Sequence, residues 1–383
     1  MSRFLKFFFA VLGGGLALVA AINWIVDPYA SFRWNDMAGF NDQKRLKRGG
    51  GRVSKSVIVM RNSFETIFLG SSTVETGLDP RSAALAGHSA YNAALPFSSI
   101  AELHKVALYI GEHSAPKRVV IGLDFAAFAG VRGTGGDYAE SGFAGRSMMP
   151  IYLERIFSAQ TLRDSIGTLR DSLRGKVSPF SKYGNYDLKA ASANIDLHAQ
   201  FVSSLDAYLS AAYRDFRYDA ANIELLRDAV ARLTGAGARV ALFASPIHAL
   251  HLAAIDAAGL RGEFDRWKRD IASLADAMNQ PAGMVSFWDF ADDNSVTSEP
   301  VTERGDDAAH GYWDAAHYRS AVGDLILCRI YDCQSMRVPA DFGIAVTPAT
   351  IDTILAAQRW APPTVLADFS PELDRKARSL KVR

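Results

Sequence analysis

The chain has 383 residues, of which 49% are hydrophobic and 22% are charged, and its formal net charge at pH 7 is +1. This composition excludes an intrinsically disordered chain and is typical of one large domain with an insertion, or of two ordinary domains. The near-neutral charge and the lack of a long basic and aromatic stripe argue against nucleic acid as a partner.

The N-terminus has the pattern of a membrane anchor. Arg3 and Lys6 precede residues 7–26, which carry no formal charge and are enough to cross a bilayer as a helix. The leading positive charges predict a cytoplasmic N-terminus and a single-pass inner-membrane anchor over residues 1–29, with an extracytoplasmic (periplasmic) remainder. The alternative is a cleaved signal peptide, because residues 19–21 offer a small-residue cleavage site.

Residues 30–62 are predicted to form a basic linker and lead-in. Four of the five residues at 44–48 are Lys or Arg, and three glycines follow them. We expect a solvated linker here rather than a lipid-binding patch. Residues 56–60 form a short apolar run that indicates no particular role.

Five short apolar runs then predict the strands of a sheet. They cover residues 66–69, 90–92, 118–124, 239–245 and 285–290. The third run is almost continuously apolar, as expected for a parallel strand that is buried on both faces. Helical patterns separate the runs, including residues 98–110, 221–235 and 257–280, and this alternation is typical of a doubly wound α/β sheet.

Residues 130–218 interrupt the alternation. They begin with a glycine-rich stretch and continue through helical patterns around residues 151–173 and 197–213. About ninety residues are too many for a simple crossover. We therefore expect an inserted helical cap or lid over the strand ends, or else a helical decoration that does not touch substrate. Residues 336–383 form a C-terminal extension with proline-rich turns and a short helix.

Two cysteines, Cys328 and Cys333, lie close together in the sequence. Their spacing permits a small disulfide loop outside continuous helix, and two free thiols are the alternative. No metal-binding Cys/His spacing is present, so we expect neither a metal nor a cofactor.

Two short motifs carry chemistry. Gly70-Ser71-Ser72 stands at the end of the first strand, where open α/β sheets bind ligands. Asp314 and His317 occur late in the chain, three residues apart, and we place them at the start of a helix running to about residue 329, where they would share one face. His317 could then accept the proton of Ser72 while Asp314 orients the imidazole. The alternative is that Asp314 caps the helix and His317 packs beneath it.

The two motifs in this order resemble the SGNH/GDSL superfamily of esterases and acyltransferases. The resemblance is greatest to its membrane-anchored cell-envelope branch, such as DltD-like and alginate O-acetylation proteins, and covers residues 63–330. It implies that Ser72 is the nucleophile, with Ser71 in the position usually held by Asp; Ser71 as nucleophile, or a turn that only caps, are the alternatives. The predicted fold class is α/β: a three-layer α/β/α flavodoxin-like sandwich of about five parallel strands over residues 63–335.

Several further residues are candidates for binding. Asn92, just past a strand end, is the predicted second oxyanion donor beside the Ser72 amide. Asp124 stands where the family has an asparagine, so it is either protonated, turned away from an oxyanion or used to bind substrate. His248, after the fourth strand, could line an acyl or sugar pocket, and Asp289 could be a substrate carboxylate. A loop-packing role is the alternative for His248.

The resemblance implies a serine-dependent esterase or O-acyltransferase. Its expected substrates are O-acyl, acetyl-like groups of an envelope polysaccharide or a small acyl ester, with a membrane acyl-donor protein as a possible partner. The sequence does not separate hydrolysis from transfer. The alternative from another class is a catalytically inactive envelope protein that binds polysaccharide or scaffolds a synthesis complex.

Overall fold

The structure, a computed structural model, describes residues 2–32, 36–46, 51–130, 133–188, 196–301, 311–358, 360, 362 and 364–381. Its helices are α1 (Ser2–Val26), α2 (Gly51–Arg61), α3 (Ser72–Gly77), α4 (Ile100–His113), α5 (Met148–Phe157), α6 (Ala159–Leu173), α7 (Leu197–Ala207), α8 (Ala221–Gly235), α9 (Ala249–Ala257), α10 (Arg261–Met278), α11 (Ser320–Tyr331), α12 (Ile351–Ala357), α13 (Val365–Phe369) and α14 (Pro371–Lys381). Its strands are β1 (Thr66–Leu69), β2 (Ala90–Asn92), β3 (Arg118–Leu123), β4 (Arg239–Ala244), β5 (Val285–Asp289) and β6 (Ile344–Val346).

The fold is α/β, with one mixed sheet in the order β2-β1-β3-β4-β5-β6. The first five strands are parallel, and β6 pairs antiparallel with β5. Strands β1 and β2 are buried along their whole length, and β3 and β4 are buried except at their first residue. Burial on both faces explains why these strands read as continuous apolar runs. The prediction of about five parallel strands is confirmed.

The short strand β6 was not predicted. It has three residues, of which two are exposed. A strand this short and this exposed has no apolar alternation by which the sequence could indicate it, and only its pairing with β5 defines it.

The chain divides into two compact units, Met1–Asn62 with Gly136–Ala191, and Ser63–Gly135 with Ser192–Arg383. The sheet belongs entirely to the second unit. The segment that was predicted as one insertion, residues 130–218, is shared between the two units, and the predicted C-terminal extension belongs to the second.

The first unit contains α1, α2, α5 and α6. Helix α1 is long and apolar enough to cross a membrane by its length and composition. Helix α2 includes the apolar run of unassigned role, and it buries Val53 and Val57 against Ile151. The helical pattern predicted over residues 151–173 is divided at Ser158, whose hydroxyl accepts from the amides of Gln160 and Thr161 and so begins α6.

The prediction of a solvated linker is wrong for several of its basic residues, since Lys44, Arg52 and Lys55 are buried. Lys44 is 2% exposed and donates to the carbonyls of Val26 and Asp27, at the end of α1. Arg45 pairs with Asp171. The buried ammonium of Lys44 is stable because these carbonyls and the carboxylate of Asp36, 3.3 Å away, replace its water. Lys47 and Arg48 lie outside the described residues.

Cys328 and Cys333 form a disulfide. The bond joins the last turns of α11 to the loop that follows it, since α11 ends at Tyr331. Of the two alternatives that the sequence left open, the small disulfide loop is the one observed.

Candidate active site

The sheet has its topological switch point at β1. This strand lies between β2 and β3, so the chain leaves the carboxyl ends of β1 and β3 in opposite directions. Ligands in open α/β sheets bind in the crevice at such a point. The Gly70-Ser71-Ser72 turn follows β1, and Asp124 follows β3, so both lie at this edge of the sheet.

The turn after β1 requires glycine at its first position. Gly70 has φ +149°, and a Cβ there would come within 2.4 Å of the Val74 side chain and 2.9 Å of the Gly122 carbonyl oxygen. Ser71 is the N-cap of α3, and its hydroxyl accepts from the Thr73 amide at 3.3 Å. Ser72 is therefore the first residue of the helix.

The segment that carries Asp314 and His317 is a tight loop, so its predicted position on a helix is wrong. Tyr312 and Tyr318 form an isolated antiparallel bridge, and helix α11 begins only at Ser320. Asp314 Oδ1 accepts from the backbone amides of Ala316 at 2.8 Å and His317 at 3.0 Å. These bonds to its own loop replace helical periodicity in placing the carboxylate beside the imidazole.

The loop completes a chain of hydrogen bonds with Ser72. The His317 Nδ1 atom lies 2.8 Å from Asp314 Oδ2, and His317 Nε2 lies 2.8 Å from the Ser72 Oγ. The side chains of His317 and Asp314 remain 23% and 15% exposed, so the site is open to solvent. The structure thus brings together the three residues that the sequence proposed as nucleophile, base and orienting acid.

The charges around His317 favour a basic imidazole. Burial by itself lowers the pKa of His317, but the negative charge and hydrogen bond of Asp314, followed by the charges of Asp124 and Glu75, raise this pKa above its ordinary value. Burial by itself raises the pKa of Asp314, but the charge of His317 and the hydrogen bonds that His317 and the Ala316 amide donate lower this pKa below its ordinary value. An ionised Asp314 accepts from Nδ1–H, which leaves Nε2 to accept from the Ser72 hydroxyl.

No protein-family model and no curated protein matches the sequence. The resemblance to SGNH enzymes therefore stays a prediction. It rests on the motifs in the sequence, and the geometry of the site is independent of it.

Asp124 binds the start of α3. Its carboxylate accepts from the Ser71 hydroxyl and from the Thr73 hydroxyl, the latter at 3.1 and 3.2 Å for its two oxygens. Ser71 and Asp124, the two residues that differ from the pattern of the SGNH enzymes that the chain resembles, are hydrogen-bonded to each other. Ser71 is thus engaged with Asp124 and the helix cap, while Ser72 is the serine that meets His317.

Asn92 does not have the predicted role of an oxyanion donor. Its Nδ2 group donates to the carbonyls of Val74 at 2.8 Å and Leu78 at 2.9 Å, and its Oδ1 accepts from the Ala94 amide. Both amide hydrogens are therefore used, and the side chain is completely buried. Asn92 instead ties the end of α3 to the loop that follows β2.

His248 does not have the predicted substrate-binding role either. It is 3% exposed, its Nδ1 accepts from the Leu250 amide as the cap of α9, and its Nε2 donates to the Glu299 carbonyl. Burial lowers its pKa to about 4, so the ring is neutral and both nitrogens are occupied. The loop-packing alternative describes this histidine.

Asp289 does not have the predicted role of a substrate carboxylate. It is 2% exposed and forms an ion pair with Lys268, whose side chain is completely buried, at 2.8 Å. Gln358 donates to the same carboxylate at 2.6 Å.

Among the residues that the structure describes, no group of three His, Cys, Asp or Glu side chains is placed to hold a metal ion.

Several residues that support the site had no sequence signal. The His251 Nδ1 donates to the Ala315 carbonyl at 3.3 Å, and its Nε2 accepts from the Tyr213 hydroxyl at 2.8 Å. Burial lowers the pKa of His251 to about 4, so one nitrogen can donate while the other accepts. Ser204, on α7, donates to Asp314 Oδ1 at 3.1 Å. These contacts hold the Asp314 loop from elements that are distant in sequence.

Gly77 allows α3 to approach the same loop. A Cβ at this position would lie 1.9 Å from the ring of Tyr318, the residue after His317. The ring packs directly on the backbone of α3, which fixes the distance between the helix that starts at Ser72 and the loop that carries His317. Only glycine permits this separation.

Proposed function

We propose that the second unit is a serine-dependent esterase or O-acyltransferase that works through an acyl-enzyme on Ser72. The observation that carries the proposal is the pair of 2.8 Å hydrogen bonds that join Ser72 to His317 and His317 to Asp314. A serine hydroxyl is a weak nucleophile until an adjacent base accepts its proton, and this arrangement supplies such a base with a group that orients it.

The first half-reaction forms the acyl-enzyme. Ser72 Oγ attacks the carbonyl carbon of the ester as its proton passes to His317 Nε2, and Asp314 stabilises the imidazolium that results. The tetrahedral intermediate then collapses, the bond between carbon and the leaving oxygen breaks, and the imidazolium gives its proton to the departing alkoxide. The Ser72 amide, at the first position of α3, is the proposed first oxyanion donor, since first-turn amides have no partner within their helix.

The second half-reaction decides between hydrolysis and transfer. His317 takes a proton from water or from a sugar hydroxyl, the new oxygen attacks the acyl carbon, and Ser72 leaves with the proton from Nε2. The two outcomes differ only in the acceptor. Partition of the acetyl group of 4-nitrophenyl acetate between water and added glycan, followed by mass spectrometry, separates them.

Fold and location extend the proposal. The strand order 2-1-3-4-5 is that of flavodoxin-like sheets, which supports a three-layer α/β/α sandwich. The length and composition of α1 support an uncleaved inner-membrane anchor with the remainder of the chain in the periplasm. In that location we propose O-acylated envelope polysaccharide as the substrate class and a membrane acyl-donor protein as the partner.

A second candidate function is favoured by Asn92. Because its amide hydrogens are used within the fold, the predicted second oxyanion donor is missing from that position. A protein that keeps the fold only to bind polysaccharide or to scaffold a complex would tolerate this loss. The Ser72, His317 and Asp314 hydrogen bonds favour catalysis, because a scaffold has no need for them.

The test is covalent labelling of the full chain in detergent with a fluorophosphonate, read by intact mass. We expect one adduct, lost in Ser72→Ala and kept in Ser71→Ala, which is the matched control one residue away. Circular dichroism confirms that each variant is folded. No adduct on folded wild-type protein would exclude an activated serine and favour the scaffold, and loss of the adduct only in Ser71→Ala would identify the other serine as the nucleophile.

A further inference from the structure

The first unit exposes a row of apolar side chains on α5. Met149, Leu153 and Phe157 are 63%, 48% and 48% exposed. They lie four residues apart, so they share one face of the helix. The opposite face carries Ile151 and Arg155, which are buried. Helix α5 is therefore amphipathic with its apolar row directed away from its own unit's core.

Helix α6 exposes apolar and basic side chains together. Ile166 and Leu173, seven residues apart on one face, are 58% and 77% exposed. Arg163, Arg170 and Arg174 are exposed along the same side of the helix. Apolar residues combined with arginine on one side are typical of helices that lie at the surface of an anionic membrane.

The corner between α5 and α6 is bonded to the last turn of α1. Asn23 Nδ2 donates to the carbonyls of Ile156 at 2.8 Å and Ser158 at 3.2 Å, and Asn23 Oδ1 accepts from the Ser165 hydroxyl at 3.1 Å. Asn23 is completely buried. A polar amide near the end of an apolar helix is thus satisfied by the corner, which fixes the corner at the level of that turn.

This level corresponds to a membrane surface. The apolar residues 7–26 of α1 extend over about 29 Å as a helix, close to the roughly 30 Å of a bilayer's hydrocarbon core. Asn23 lies three residues, or about 5 Å, before the end of α1. The corner is therefore placed near the boundary between acyl chains and headgroups, on the side where the chain leaves the span.

We propose that α5 and α6 form an interfacial membrane-binding element on the outer leaflet. Its apolar face, which we call the lipid face, enters the boundary between headgroups and acyl chains, and its arginines meet lipid phosphates. The lipid face consists of Met149, Leu153, Phe157, Ile166 and Leu173. The inference rests on the part of the proposed function that makes α1 a membrane span with its C-terminal end outside; it does not depend on catalysis at Ser72.

The test is depth measurement by spin labelling of the full chain in nanodiscs of phosphatidylglycerol and phosphatidylcholine. Both native cysteines are in a disulfide, so single cysteines can be labelled selectively. Leu153→Cys and Phe157→Cys probe the lipid face. Leu12→Cys, within α1, is the control for the span, and Glu112→Cys, an exposed residue on α4, is the control for water. Each label is read by collision with oxygen, which enters lipid, and with a water-soluble nickel chelate.

We expect the ratio of oxygen to nickel accessibility at residues 153 and 157 to lie several-fold above that at residue 112 and below that at residue 12. A ratio equal to that at residue 112, with residue 12 in lipid, would overturn the inference and leave the anchor intact. Low accessibility to both reagents would assign the face to another protein surface and likewise overturn it. A water-like reading at residue 12 would reject the anchor, and the inference with it.

Discussion

Replacing Asp314 with Asn should abolish most of the reactivity of Ser72 while leaving the loop folded. Asp314 Oδ1 accepts from two backbone amides of its loop, at 2.8 and 3.0 Å, and the Asn side-chain oxygen can accept the same two bonds. The Asn amide nitrogen then takes the place of Oδ2, which lies 2.8 Å from His317 Nδ1. A donor now faces this nitrogen, so the imidazole proton moves to Nε2.

The displaced proton determines the size of the effect. Nε2 is the atom 2.8 Å from the Ser72 Oγ, and once it carries a proton it cannot accept another from the serine. Loss of the productive tautomer in a triad of this kind lowers the rate on the order of 10⁴-fold, which is about 5.5 kcal/mol of transition-state free energy. Ser204→Ala removes one hydrogen bond to the same ionised carboxylate and leaves the tautomer of His317 unchanged. A hydrogen bond to a charged group contributes about 1.5–3 kcal/mol, or a factor of roughly 10 to 150, which is well below the loss expected for Asp314→Asn.

The assay is the second-order rate constant for fluorophosphonate labelling, with 4-nitrophenyl acetate hydrolysis as a second readout and thermal unfolding as the check on folding. We expect a large loss in Asp314→Asn, a much smaller one in Ser204→Ala and melting close to wild type in both. Labelling of folded Asp314→Asn within an order of magnitude of wild type would refute the role of Asp314 in orienting His317. A Ser204→Ala loss as large as that of Asp314→Asn would show that the loop, and not the tautomer, sets the rate.

Three further predictions concern pH, packing and a buried charge. Burial lowers the pKa of His317, but its acidic neighbours raise this pKa above its ordinary value. Since the neutral ring is the base, labelling should fall as pH drops through that pKa and level off above it. Asp124→Asn removes one of the charges that raise the pKa and should move the inflection to lower pH, so an unmoved or higher inflection would contradict this. Gly77→Ala should lower the free energy of unfolding by about 1–3 kcal/mol and slow labelling, because the added Cβ would lie 1.9 Å from the Tyr318 ring. Gly262→Ala, where an added Cβ has no neighbour within 4 Å, is the control, and wild-type melting and labelling of Gly77→Ala would contradict the close contact. Lys268→Met leaves Asp289 buried without its cation and should lower the free energy of unfolding in urea by about 3–5 kcal/mol. The double variant that also replaces Asp289 with Met should recover much of this stability. A single variant as stable as wild type would contradict the ion pair.

The sequence by itself indicated the parallel strands and proposed the three residues, Ser72, Asp314 and His317, that the structure brings together. Residues 119–123 are apolar on both faces, as expected for a parallel strand that is buried on both sides of a sheet. The Gly70-Ser71-Ser72 turn was indicated by its place directly after the first apolar run, and the structure adds that the backbone at Gly70 excludes a side chain. Local sequence pattern was sufficient for the strands and the turn, whereas the choice of Ser72 over Ser71 came from the resemblance.

Only the tertiary structure decided how the remaining polar groups are used. Asn92 and His248 have side chains that could bind substrate, and each is instead satisfied by backbone groups that the sequence does not identify as neighbours. The same holds for the loop that carries Asp314 and His317, which is held by His251 and Ser204 rather than by helical periodicity. A polar side chain in a folded protein pairs with whatever lies within about 3 Å, and that distance is set by the packing of elements far apart in the chain.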